Sequence, residues 1–171
     1  NDVVSIYDVD NDPVIQGGVT GNARVVRVFG SGSLTINSTG ALNLHPAVSS
    51  NGIYNEGSIT NSGTISISPL SGQTSSHGIR NQGTIVNSSG GEIHIDGMGS
   101  HGIRNDSGGT FTNQSGSTVV IGTSSSPVGD DGIRNDAGCT FSNAGFLNIL
   151  HATFEGIYNL GTFTNNINST S

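Results

Sequence analysis

The stretch GIRNQGTIVNSSGGEIHI, residues 78–95, decides the fold. It holds three short alternating segments: Ile79 within Gly78–Asn81, Ile85 within Thr84–Asn87, and Ile93 with Ile95. Turns rich in Gly and Ser divide them. Period-two alternation reads as strands with one buried face, and no segment carries a helical period. The same pattern recurs along the chain. Gly-Ile-Tyr/Arg-Asn begins at Gly52, Gly78, Gly102, Gly132 and Gly156, at spacings of 26, 24, 30 and 24 residues. Each copy is followed by a second block: Ser58–Asn61, Thr84–Asn87, Thr110–Asn113, Thr140–Asn143 or Thr162–Asn165. A third apolar pair comes next, at Ile65 and Ile67, Ile93 and Ile95, Val119 and Ile121, and Leu147 and Ile149. A degenerate earlier rung reads Val26 and Val28, then Leu34 and Ile36, then Leu42 and Leu44.

Strands this short cannot bury a core alone. Stacked in register at about 4.8 Å, the same segment of every repeat becomes one parallel sheet. Three such sheets enclose an apolar core. The expectation is an all-β, single-domain parallel β-helix of about six three-strand rungs. Residues 25–171 form the helix, and residues 1–24, which lack the repeat, form an N-terminal cap or linker. Asn1 to Tyr7 covers the open end, and the last rung stops after Asn165 without a third strand, so further sequence should follow it.

The inward set is Ile53, Ile79, Ile103, Ile133 and Ile157 on the first sheet, and Ile59, Ile85, Phe111, Phe141 and Phe163 on the second. Two asparagine ladders follow, because Asn tolerates turn geometry and its amide bonds a counterpart one rung away. They are Asn55, Asn81, Asn105, Asn135 and Asn159, and Asn61, Asn87, Asn113, Asn143 and Asn165. The glycosylation triplets at Asn37, Asn87 and Asn113 should point inward and be silent. Cys139 shares the parity of Phe141 and should be a buried thiol, not a nucleophile.

Composition narrows the function. The chain has 171 residues, 27 of them Gly, with only 10% charged and 5% aromatic. It has no lysine, which excludes Schiff-base catalysis and a Walker-type phosphate loop. A net charge of -7 and a pI near 4.8 argue against a nucleic-acid surface. No apolar run approaches the roughly 18 residues that span a bilayer, so no membrane insertion is expected.

The Gly-Ile-Arg-Asn and Gly-Thr-Phe-Thr-Asn blocks resemble coils of right-handed parallel β-helix proteins, particularly large bacterial surface and secreted proteins of the adhesin or filamentous-haemagglutinin type. The resemblance spans roughly residues 25 to 171. It implies right-handedness and an extracellular or cell-surface location. It also implies a non-enzymatic role as stalk, adhesive surface or glycan scaffold within a larger protein. The partner would be a surface glycan or another extracellular protein, and open ends could stack end to end.

Several constellations could carry chemistry. Tyr54, Arg80, Arg104, Arg134 and Tyr158 should form one outward file, able to grip acidic glycans with guanidinium groups and stacking rings. Neutralisation by Asp106 and Asp136 is the competing reading. Asn51, His77, His101, Asp131 and Glu155 form a second file, in which His77, His101 and Asp131 could share a metal, or simply serve as polar turn residues. Ser76-His77-Gly78, Ser100-His101-Gly102 and Gly129-Asp130-Asp131-Gly132 resemble fragments of polygalacturonases, also β-helices. Here the order is reversed, the Asn-Thr-Asp and Arg-Ile-Lys blocks are missing, and adjacent aspartates on a strand should point oppositely. Two outer files on the second sheet pair Ser33 with Thr35, Ser58 with Thr60, Thr84 with Val86, Thr110 with Thr112, Thr140 with Ser142, and Thr162 with Thr164. They resemble the Thr-x-Thr ladders of ice-binding solenoids, which is the alternative function. Asp8, Asp10 and Asp12 are spaced like a calcium loop, but Pro13 and Val19 stand where that loop wants Gly and Glu. Otherwise no cofactor is expected.

Overall fold

A computed structural model describes residues 2–71 and 75–166. It is an all-β solenoid whose architecture is that of a right-handed parallel β-helix. The first sheet stacks Val3–Ile6, Val25–Val28, Ile53–Asn55, Ile79–Asn81, Ile103–Asn105, Ile133–Asn135 and Ile157–Asn159. The second stacks Val14–Ile15, Ser33–Ile36, Ser58–Asn61, Thr84–Asn87, Thr110–Asn113, Thr140–Asn143 and Thr162–Asn165. The third stacks Thr20–Ala23, Ala41–Leu44, Thr64–Ile67, Glu92–Ile95, Thr118–Ile121 and Phe146–Ile149. All pairings between these strands are parallel, with repeat-equivalent residues opposite one another, as for Ile79, Ile103 and Ile133.

The strands are short because each rung must turn three times. At Gly78 the turn runs so close to the next rung that a Cβ would collide with the Ile95 side chain and with the Gly102 carbonyl oxygen at 2.6 Å. Insertions in the repeat fall between the third and first sheets, chiefly after Ile67 and after Ile121, which accounts for the uneven spacing. Met98, between Ile95 and Ile103, and Val128, between Ile121 and Ile133, tuck back into the core.

The core is a stack of aliphatic rungs with an aromatic column. Ile53, Ile79, Ile103, Ile133, Ile59, Ile85, Phe111 and Phe141 are buried, each isoleucine burial being worth about 1.5–3 kcal/mol. Phe111 and Phe141 stack at 4.7 Å, and Phe141 and Phe163 at 5.2 Å. Ile157 is 40% exposed because no rung follows it among the described residues. Both asparagine ladders are present. In the first, side-chain amides donate to the next asparagine at 2.8–2.9 Å from Asn55 through Asn159. In the second the distances are 2.7–2.8 Å from Asn61 through Asn165. The same amides also donate to carbonyls of the following rung, such as Asn81 to Thr110 O at 3.0 Å. Apart from Asn55 Oδ1 at the start of the first ladder, the ladder amides are thereby satisfied across the rungs.

Two expectations change. Residues 3–23, expected to lack the repeat, lie at the N-terminal end of the stack and share its register. They supply a three-strand rung of their own, paired to the strands at Val25, Ser33 and Ala41, although no Gly-Ile-x-Asn marks it. Asn37 is not inward: Ile36 takes the ladder position beside Asn61, and the Asn37 amide donates to Gln16 at 3.0 Å on the surface. Asn87 and Asn113 are buried as expected, and Cys139 is a buried free thiol. The expected end after Asn165 concerns residues 167–171, which lie outside the described residues.

Candidate functional site

The first sheet builds its outer surface from two adjoining files. In one, the register places Ser5, Arg27, Tyr54, Arg80, Arg104, Arg134 and Tyr158 side by side. The expected file is real and one arginine longer than foreseen. Arg27 sits between Val26 and Val28, so alternation already pointed it outward. Its rung lacks the Gly-Ile-x-Asn signature that marks the other members of the file at Tyr54, Arg80, Arg104, Arg134 and Tyr158. The second file is the residue after each ladder position: Tyr7, Phe29, Glu56, Gln82, Asp106, Asp136 and Leu160. Backbone bonds align them rung by rung, for example Glu56 N to Val28 O and Asp106 N to Asn81 O.

The two files interlock differently along the axis. In the middle, Asp106 receives Arg80 at 2.9 Å and approaches Arg104 Nε at 3.4 Å. Asp136 receives Arg104 at 3.1 Å and Arg134 at 2.8 Å. Burial would raise the Asp136 carboxyl, but hydrogen bonds from Arg134 and Arg104 outweigh it and hold it below the usual carboxylate range. The guanidinium groups also lie over rings, Arg80 over Tyr54 at 5.7 Å and Arg134 over Tyr158 at 5.1 Å. Tyr54 donates its hydroxyl to Glu56 at 2.6 Å and lies 2.9 Å from the Gln82 amide. That bond to Glu56, with burial, pushes the phenol above its ordinary value.

Upstream the acid file turns aromatic. Tyr7 and Phe29 stack at 5.0 Å, and Phe29 meets Tyr54 at 6.1 Å with the rings tilted by 58°. Arg27 has Phe29 in its own rung and Glu56, engaged by Tyr54, in the next. Among the described residues no acid lies within ion-pair distance of it. A groove of about 270 Å³ opens here, lined by Arg27, Phe29, Tyr54, Arg80, Ser50 and Asn51.

The His file also forms, at the turn entering the first sheet. His77 N–H bonds Asn51 Oδ1 at 3.3 Å, Asp131 N–H bonds His101 Nδ1 at 3.2 Å, and Glu155 N–H bonds Asp131 Oδ1 at 3.3 Å. His77 and His101 stack face to face at 5.0 Å with 5° between planes. Ring-nitrogen lone pairs lie in the ring plane, so stacked imidazoles aim past one another. The expected trio of His77, His101 and Asp131 is therefore not brought together. A different trio is: His101 Nδ1 lies 3.6 Å from Asp130 Oδ2 and 3.5 Å from Asp131 Oδ2. The alternation rule misplaced Asp130 and Asp131, because they occupy a bend and not a strand. Burial, then His101 and the arginines Arg104 and Arg80, lower His77 to about 4. Burial also lowers His101, helped by Arg134 and Arg104 and opposed by Asp130. Burial first, with Glu155 and Asp130 beside it, raises Asp131 to about 6.

On the second sheet the hydroxyl files are in register. Ser33, Ser58, Thr84, Thr110, Thr140 and Thr162 form one, and Thr35, Thr60, Val86, Thr112, Ser142 and Thr164 the other. Asp8, Asp10 and Asp12 do not converge. Asp8 accepts from Ser31 Oγ at 2.9 Å, and Asp12 accepts from Ser33 Oγ at 2.7 Å, so two carboxylates anchor the next rung's turn. Comparison with protein-family models, curated proteins and solved structures finds no match to this chain.

Proposed function

We propose that this chain is a non-enzymatic, extracellular module of a larger bacterial surface or secreted protein, and that it contacts acidic glycans on the outward face of its first sheet. The observation that carries the reading is Arg27. Among the described residues it is a guanidinium with no acid within ion-pair distance, beside Phe29 and Tyr54 in a groove that Arg80 also lines. Such a combination suits a sugar carboxylate or sulfate held by the cation, with the ring face on an aromatic. Arg104 and Arg134 stiffen the stripe through Asp106 and Asp136. His77 and His101 line the neighbouring turn. The non-enzymatic part is supported by Asp131, which is 3% exposed and out of reach of a polymer that a glycosidase must flank with two carboxylates.

The test is binding of a soluble polyuronate and a sulfated galactan, with neutral dextran as control. Salt-sensitive binding of either polyanion that is weakened by Arg27→Ala is the expected result. Failure of both polyanions to bind removes the glycan reading. A second reading, ice binding, is favoured by the register of Thr60, Thr84, Thr110, Thr112, Thr140, Thr162 and Thr164. Ice-crystal shaping that is lost in Thr112→Tyr would establish it instead.

A further inference from the structure

We infer that His101, Asp130 and Asp131 bind a divalent transition-metal cation of the zinc class, bridging the turns of two successive rungs. The three donor atoms all lie within 4.8 Å of one another. Around a tetrahedral ion with bonds of about 2.1 Å, neighbouring donors stand about 3.4 Å apart. The observed separations from His101 Nδ1 are 3.6 Å to Asp130 and 3.5 Å to Asp131. An eight-oxygen calcium cage is a different arrangement, and an imidazole nitrogen among the donors selects for zinc over calcium or magnesium.

The charges point the same way. Asp106 and Asp136 are each met by arginines, whereas Asp130 and Asp131 have only the His101 imidazole within ion-pair distance among the described residues. The backbone N–H of Asp131 lies 3.2 Å from His101 Nδ1, which fixes that nitrogen as the unprotonated one, and the ion would take over the lone pair that this long hydrogen bond uses in the metal-free chain. His101 and Asp131 are both more than nine-tenths buried, and His77 stacked on the ring fixes its plane. Asp130, with its side chain 40% exposed, leaves one side open for ion entry and for water to complete the shell.

Calorimetric titration of the chelator-treated chain with ZnCl₂ tests the site, with CaCl₂ and MgCl₂ as comparators and Co²⁺ absorption as a readout of tetrahedral geometry. One saturable Zn²⁺ per chain is expected. It should be weakened by at least about tenfold in Asp130→Asn and in His101→Gln. Asp130→Asn alters an exposed side chain and should keep its metal-free melting temperature, which guards against misfolding. Absence of one-to-one binding overturns the proposal. So does an Asp130→Asn variant that binds zinc like wild type, which would place the ion on surface histidines such as His94 and His151.

Discussion

The rungs before Gly52 and the rungs after it share one backbone register but hold it by different means. After Gly52, each turn out of the first two sheets is tied by an asparagine whose amide reaches the next rung. Before it, Ile6, Val28 and Ile36 occupy the same positions, and apolar packing replaces the internal ladder, with side-chain bonds between rungs kept to the surface, as from Ser33 to Asp12 and Asn37 to Gln16. The junction is visible in a single atom. Asn55 Oδ1 is buried without a hydrogen-bond partner, because Val28 above it has no donor to offer. The surface changes at the same place, from stacked aromatics beside Arg27, which has no ion pair among the described residues, to an arginine and aspartate lattice. A parallel sheet thus needs only side chains that repeat. Polar and apolar repeats both serve, but they leave different surfaces outside.

The contrast breaks most visibly at Asn105. It donates to Asn135 Oδ1 at 2.9 Å and to Thr140 O at 2.9 Å, and accepts from Asn81 at 2.8 Å. Asn105→Leu keeps the volume and orphans buried groups on both sides, at about 1–3 kcal/mol each. A loss of about 3 kcal/mol or more is expected, seen as a fall in Tm of about 10 °C. A variant melting with wild type would mean that the ladder is ornamental.

Binding separates the two regions next. Arg27→Ala should weaken polyanion binding by about tenfold, the equivalent of about 1.4 kcal/mol, while leaving stability within about 0.5 kcal/mol. Arg104→Ala should do the reverse, lowering Tm slightly with little change in affinity, because its charge is already taken by Asp136 and Asp106. Equal losses in both variants would show that the stripe acts as one diffuse field, with no role for Arg27 in particular.

Val28→Asn sharpens the comparison by extending the ladder upward. The new amide would donate to the orphaned Asn55 Oδ1, while its own carbonyl would face Ile6 and some apolar burial would be lost. These terms oppose one another, and a net change within about 1 kcal/mol is expected by urea titration. A loss as large as that of Asn105→Leu would mean that polar partnering is not what distinguishes the two regions.

Most of the frame was legible in the sequence. Ile79 and Asn81, or Phe111 and Asn113, sit at fixed offsets, and period two leaves one register that buries them together. The hydroxyl and arginine files followed from the same parity. What escaped lies where parity does not apply. Asp130 and Asp131 stand in a bend, so both carboxylates reach one imidazole. The facing of His77 on His101 depends on ring rotation, which no spacing encodes. Residues 3–23 form a rung from Val, Ile and Gly in strands as short as Val14–Ile15, too few residues for a motif to show.

The smallest effect concerns Asp136 and the direction of its pH dependence. Its carboxyl is held below its usual range in the folded chain by Arg134 and Arg104, against the opposing influence of burial. A group with a depressed folded-state pKa contributes stability above its unfolded value, and that contribution is lost as pH falls through the folded value. The guanidinium groups are about a third exposed, at 32% and 33%, so solvent screening limits the contribution to below about 1 kcal/mol. Asp136→Asn should therefore melt slightly below wild type at pH 7, and the gap should close below about pH 4 as the wild-type carboxylate takes up its proton. A gap that persists undiminished at low pH would assign the effect to packing of the side chain, and the lattice in the middle rungs would then be held by shape and not by charge.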